Sequence, residues 1–246
     1  MRVAVISDIH SNLPALEAVF ESIEVAGVEE TWCLGDVVGY GAQPDACVDL
    51  VRERCALCLV GNHDLAVLGG LDTSSFSETA AEAVGWTVAN IAEPALEFLR
   101  DLEPEGRRQG IGLFHASPRD PVWEYVLSTE QAEECLAIQA EPIGLIGHSH
   151  VALFFSKPAA APGDSTRGAQ MSDGALLDID AGRWLINPGS VGQPRDGDPR
   201  AAWLELNTEE ATALFHRVPY DIDRAAESIV AAGLPSHLAA RLRSGQ

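Results

Sequence analysis

No run of about eighteen or more apolar residues, the length a bilayer-crossing helix needs, occurs in the 246-residue sequence. The opening stretch MRVAVISDIH sets an aspartate and a histidine where a secretory leader would continue its apolar core. Neither a membrane anchor nor an export signal is expected, which predicts a soluble, cytoplasmic chain. Lysine is nearly absent: Lys157 stands alone, and arginine supplies the rest of the 16 basic residues against 37 acidic ones. The formal net charge of -21 repels polyanions at long range, so stable nucleic acid binding through a broad basic face is not expected. A nuclease reading would need Arg107, Arg108 and Arg119 to line a locally positive groove. Cysteines number five, an odd count, and the C-x-x-C of Cys55 and Cys58 has no second pair at zinc-ribbon spacing. Cys33 and Cys58 fall in apolar runs, where a thiol acts as a small hydrophobe, and this fits a reducing compartment.

The 46% of apolar residues suffices for a core, and the length suits one large domain over 1–246. Its first part, 1–150, alternates β-branched runs with helical patterns, as β-α-β units with a largely parallel sheet do. Strands are expected at 3–7, 31–35, 58–60, 111–114 and 143–147. Between them, Asn12 caps a helix that Gly27 stops, Asp45 opens a second helix, and 74–102 reads as helical with a break at Pro94. A further helix is expected over 129–139. From 151 to 218 the pattern becomes strand-rich and looks antiparallel, with 157–170 (KPAAAPGDSTRGAQ) as a mobile loop. The run ALFF (152–155) is either an edge strand able to pair with a second copy or an internal one, so a homo-oligomer is compatible. Helices close the chain over 219–246.

Chemistry concentrates at the ends of the expected strands. Asp8, Asp36, Asn62, His115 and His148 each follow one of the first five, and such positions converge on the ligand crevice of an open α/β sheet. Alone, each would read as a cap or turn residue. Together with His10 and His150 they form a set of imidazole, carboxylate and amide donors suited to Mn, Fe, Zn, Co or Ni. Seven ligands exceed one catalytic ion; two ions about 3.5–4 Å apart fit the number and suit phosphate ester hydrolysis. His216 and His237 read as structural or surface residues.

The runs D-I-H (8–10), G-D-V-V-G-Y-G (35–41), G-N-H-D (61–64), H-A-S-P (115–118) and G-H-S-H (147–150) resemble the five motifs of the calcineurin-like metallophosphoesterases. The N-P-G-S-V-G-Q-P-R segment (187–195) resembles the compact prokaryotic phosphodiesterase-like branch, and the resemblance covers about residues 1–206. It implies a four-layer α/β/β/α sandwich with two facing mixed β-sheets. It also implies one divalent ion on Asp8, His10, Asp36 and His150, and a second on Asp36, Asn62, His115 and His148. Manganese is the first expectation. Asp36 would bridge, His63 would contact the phosphate and protonate the leaving oxygen, and Asp64 would orient His63. A hydroxide between the ions would attack phosphorus in line. Ser11, Ala116 and Ser149 depart from the commoner family residues without removing a ligand.

The reaction implied is hydrolysis of a small phosphodiester or nucleotide phosphoanhydride. Phosphomonoesterase or phosphoprotein phosphatase activity is the alternative, and a noncatalytic scaffold on the same fold is the alternative of another class. Asn12, Tyr40 and Arg195 are candidate substrate residues. Arg195 would clamp phosphate oxygens, against the reading of a surface arginine paired with Asp196 or Asp198. Trp86, Trp123 and Tyr125 are either a substrate wall or core.

Overall fold

Alternation along β1 (Arg2–Ile6) sets the layering. Val3 and Val5 share a cluster with Trp32, Leu113 and Ile186, whereas Ala4 and Ile6 share another with Leu16, Val19 and Trp203. All four residues are fully buried. At about 1.5–3 kcal/mol for each buried Val or Ile side chain, this two-faced burial fixes β1 at the centre of a covered sheet.

The computed structural model describes residues 1–158 and 165–246. After β1 come α1 (Leu13–Ala26), β2 (Glu30–Cys33), α2 (Pro44–Arg54), β3 (Leu57–Cys58) and α3 (Asn62–Val67). A 3-10 turn at Thr73–Ser75 leads to α4 (Glu78–Asn90) and α5 (Glu93–Arg100), then β4 (Glu105–Arg108), β5 (Ile111–Phe114), α6 (Thr129–Ile138) and β6 (Ile143–Leu145). The remainder runs β7 (Ala152–Lys157), β8 (Arg167–Gln170), β9 (Leu176–Asp178), β10 (Arg183–Pro188), β11 (Ala201–Asn207), β12 (Thr212–Val218), α7 (Ile222–Ala231) and α8 (Ser236–Leu242).

Two mixed six-stranded sheets result, ordered β3-β2-β1-β11-β12-β9 and β4-β5-β6-β10-β7-β8. The expected sandwich is therefore present. Each sheet takes three strands from either side of residue 150, so the α/β and β-rich halves interleave instead of stacking. They join where β1 pairs antiparallel with β11 and where β10 pairs parallel with β6. The later strands are antiparallel among themselves, as expected. α6 covers the outer face of the second sheet through Ala132, Cys135 and Leu136. On the other side α1 buries Leu16, Val19, Phe20 and Ile23.

Local signals explain most boundaries. The Asn12 side chain accepts the Ala15 amide at 3.2 Å, and Gly27 ends α1 in the left-handed region at φ 67°. The helical stretch breaks at Ile91 and Ala92, which puts Pro94 in the first turn of α5. Three elements differ from expectation. α3 has six residues, too few for a period to show. β4 reads E-G-R-R and is held by backbone pairing with β5. β8 lies within the expected loop over 157–170, where residues 167–170 instead pair with β7; residues 159–164 lie outside the described residues. The ALFF run is internal, flanked by β10 and β8, so it offers no free edge to a second copy. Among the described residues, no helix is long and apolar enough to cross a membrane.

Candidate metal centre and active site

The seven ligand-type residues meet at the strand ends where the two halves join, and all are buried. The backbone there is unusual. Asp8, His10, Ser11, Asp36, Tyr40, His148 and His150 have φ between 50° and 63°, in the left-handed region that non-glycine residues seldom occupy. Such conformations persist where the surroundings over-determine them, and they cluster at functional sites.

Backbone amides supply that determination. The His148 amide donates to both Asp8 carboxylate oxygens at 3.2 and 3.1 Å, and the His63 amide donates to Asp36 Oδ1 at 2.9 Å. The segment 187–195 closes the centre from the second half. Ser190 Oγ donates to the Asp8 carbonyl, and Asn187 Nδ2 donates to the Gly147 carbonyl.

The donor chemistry calls for cations. His10 Nδ1 donates to the Val38 carbonyl at 3.1 Å and His150 Nδ1 to the Gln193 carbonyl at 2.6 Å. Carbonyls only accept, and burial holds both imidazoles well below their ordinary pKa, hence neutral. Their Nε2 atoms therefore present lone pairs to each other at 3.1 Å, an arrangement that a positive ion between them relieves. Among the described residues Asp36 Oδ2 is buried without a hydrogen-bond partner, 3.5 Å from His10 Nε2 and 3.6 Å from His115 Nε2. An orphaned carboxylate oxygen between two imidazoles fits a ligand shared by two cations. Two groups can each hold an ion: Asp8, His10, Asp36 and His150, and Asp36, His115 and His148. Asn62 Oδ1 lies 3.2 Å from His115 Nε2 and would extend the second. His148 differs in hand, since its Nε2 donates to the Trp123 carbonyl and Nδ1 is left as ligand.

Burial pushes the Asp8 carboxyl up to about 7 and raises that of Asp36, where the Asp64 charge adds to the effect. His63 and His148 are depressed by burial. The His63 ring sits edge-on to His10 at 4.8 Å and to Phe76 at 5.0 Å.

With this geometry, residues 1–209 match the family described as the calcineurin-like phosphoesterase superfamily domain. The chain belongs to that superfamily. A metallophosphoesterase from Sphaerobacter thermophilus is similar in structure, with TM-score 0.89 and 38% identity over 100% of this chain and 99% of that one. An uncharacterised protein of Methanocaldococcus jannaschii is 37% identical over 99% of this chain and 98% of its own length. A Pyrococcus horikoshii protein shares the fold, with TM-score 0.78, 20% identity, and coverage of 100% and 98%.

In this chain some candidate residues take other parts. Asp64 does not bond to the His63 ring; its oxygens accept the amides of Gly61, Val37 and Val38, which anchors the loop after Asp36. Asn12 is a structural residue: Oδ1 caps α1, and Nδ2 donates to the Gly192 carbonyl and the Tyr220 hydroxyl. Tyr40 does line the centre, 4.4 Å from His63 and 4.7 Å from His10 between ring centroids. Arg195 is not paired with Asp196 or Asp198, which hold Arg217 and Arg200. It stands over the Tyr40 ring, 5.8 Å from the centroid. Trp86 packs under the last helices and donates to the Ala232 carbonyl, so it forms no wall. Tyr125 stacks on His148 at 4.1 Å, and Trp123 meets Phe76 at 5.2 Å. Phe76 was not legible, because nothing local marks it. Arg107, Arg108 and Arg119 pair with Glu141, Glu30 and Glu134 respectively, which removes the basic groove. His216 stacks on Trp203 and His237 is exposed, both away from the centre.

Proposed function

We propose that this phosphoesterase hydrolyses small phosphodiesters or nucleotide phosphoanhydrides, using two divalent ions, manganese first among them. One ion is assigned to Asp8, His10, Asp36 and His150, the other to Asp36, Asn62, His115 and His148. The observation that carries the reading is the orphaned Asp36 Oδ2 common to both groups. When bound, such ions supply Lewis acidity toward phosphoryl oxygens and lower the pKa of a water nucleophile.

The chain's own groups do the rest. Water adds across one P–O bond: its oxygen joins phosphorus, the bond to the leaving oxygen breaks, and the protons pass to products or solvent. His63, the imidazole of the centre outside the ligand sets, takes up a proton once the anionic substrate beside it offsets the burial that keeps it neutral, and hands that proton to the leaving oxygen. Arg195 binds nonbridging oxygens, and Tyr40 holds its guanidinium in place. Phe76, Trp123 and Tyr125 form the apolar rim against which the organic part of the substrate rests. Residues 1–246 act as one domain. The five free thiols favour a reducing cytoplasm.

The test is turnover of bis-p-nitrophenyl phosphate against p-nitrophenyl phosphate by apoprotein reloaded separately with Mn, Ni, Zn and Mg. Preference for the diester with Mn or Ni is expected. Preference for the monoester would select the phosphomonoesterase reading, and two bound ions with turnover of neither compound would overturn the proposal.

A further inference from the structure

β12 carries a charge where its pattern calls for an apolar side chain. Burial alternates along the strand, and Ala213 and Phe215 enter the cluster between the two sheets with Val3, Val5 and Trp32. Arg217 is next in that series, and its side chain is only 3% exposed. Its Nη2 donates to Asp196 Oδ2, on a side chain 5% exposed, and its Nη1 reaches the Arg200 carbonyl at 3.4 Å. Taking two charges out of water costs more than such a pair commonly returns, and well-packed apolar residues of similar size often serve stability as well or better. The best-attested use of a buried pair is to fix position.

Asp196 passes that fixed position to the metal centre. Its Oδ2 also accepts the amide of Ala152, the first residue of β7, at 3.2 Å. The same stretch holds His150 twice more: the Arg195 amide donates to the His150 carbonyl at 3.1 Å, and His150 Nδ1 donates to the Gln193 carbonyl at 2.6 Å. His150 has a left-handed backbone, φ 59°, which persists only where the surroundings impose it. Among the described residues, no other candidate ligand hydrogen-bonds to 193–196; His148 is held by the Trp123 carbonyl, His115 by that of Leu34, and Asp36 by the His63 amide. The neighbouring pair of Arg200 and Asp198 is 38% and 29% exposed. Water screens a pair of that kind, which leaves it little to contribute.

We propose that Arg217 is a positioning residue: through Asp196 it sets the aim of His150, and with it the affinity for one ion alone, the one assigned to Asp8, His10, Asp36 and His150. This rests on the two-ion part of the reading above and deepens it, because the two ions then differ in what holds their ligands. Arg217 itself touches neither ion nor substrate.

The experiment is calorimetric titration of the apoprotein with Mn, alongside bis-p-nitrophenyl phosphate turnover. Arg217→Met combined with Asp196→Asn removes both charges and keeps an acceptor for the Ala152 amide. This double replacement should weaken one Mn by about tenfold or more, as loss of a group that orients a metal ligand does, and leave the other within about threefold. Added to His150→Ala it should lower Mn affinity no further, since its effect runs through that side chain. Arg200→Gln should match wild type. If the double replacement fails to melt cooperatively, Arg217→Lys carries the test: it keeps the charge without the planar fork and should weaken one Mn by about threefold or more. Unchanged Mn affinities in the variant that folds, both ions weakened alike, full additivity with His150→Ala, or the same loss in Arg200→Gln would each overturn the inference. A wild type that binds two Mn but turns over no diester overturns the phosphoesterase reading and leaves this inference to the titrations, whereas one that binds fewer than two Mn overturns both.

Discussion

Asp36 and Asp64 are each anchored in the other's loop: Asp36 Oδ1 accepts the His63 amide at 2.9 Å, and Asp64 accepts the amides of Val37 and Val38 at 3.2 and 2.9 Å. The carboxylate that joins the two candidate ion sites is therefore aimed by a second carboxylate that faces neither. Asp64→Ala would leave three buried amides without an acceptor, counting Gly61. We expect a stability loss of about 2–5 kcal/mol in urea denaturation, and weakened Mn binding by calorimetry. Unaltered Mn affinity in the folded variant would show that Asp64 plays no part in aiming Asp36.

Asp36→Asn should separate stability from function. In the chelated protein Oδ2 is buried without a donor among the described residues, whereas an amide nitrogen in its place donates to the free lone pair of His10 Nε2, 3.5 Å from that position. The variant should melt higher than wild type in chelator, by about 1–3 kcal/mol of stability, and should gain nothing from added Mn. A variant less stable than wild type in chelator would refute the frustration assigned to this oxygen.

Gly61 serves by lacking a side chain, since its φ of -101° suits any residue. A Cβ there would lie 2.1 Å from Asp36 Oδ1 and 2.5 Å from the Asp36 amide. Gly61→Ala should abolish Mn binding with every ligand still present. Gly27→Ala is the contrast: its Cβ meets nothing within 4 Å but sits at φ 67°, so it should cost about 1–2 kcal/mol and spare turnover. Equal effects of the two on Mn titration would contradict the steric account.

His63→Gln tests the proton donor. Turnover of a diester with an alkoxide leaving group should drop about 10² to 10⁴-fold, and that of a p-nitrophenyl ester far less, because p-nitrophenolate departs without a proton. The same variant has a stability signature. Burial depresses His63, so its contribution is full above the ordinary value of 6.5 and is lost as pH falls below it. Chelated His63→Gln should therefore lose stability between pH 6.5 and 5 less steeply than wild type, by up to about 1.4 kcal/mol per pH unit. Asp8, raised to about 7, acts oppositely in both proteins: its contribution is present at low pH and is lost as pH rises through 7. Parallel melting curves across that range would remove His63 from the set of buried neutral imidazoles.

The cluster of ligand-type residues was legible because each follows a strand whose β-branched or apolar residues announce it, so position and donor type coincide at Asp8, Asp36, Asn62, His115 and His148. The helix from Asn12 to Gly27 was legible for the same reason: cap, apolar stripe and stop agree. What stayed hidden depends on contacts between distant residues. The role of Asp64 lies in amides 26 and 27 residues away. β4 and β8 have no apolar alternation and exist through backbone pairing alone. Arg195 is distinguished by its place over the Tyr40 ring, which no local pattern records.

The pairing of β1 with β11 bears on the order in which this protein comes into being. The Val191 and Gly192 amides donate to the carbonyls of Ser7 and Asp8, so the first candidate ligand to leave the ribosome waits for a stretch made nearly two hundred residues later. Until β10 and β11 have emerged, the nascent chain has β1 with one side of its sheet missing, and no closed cage for an ion. Metal capture is then expected late in maturation, and a chain stalled before residue 190 is expected to hold no ion however complete its motifs.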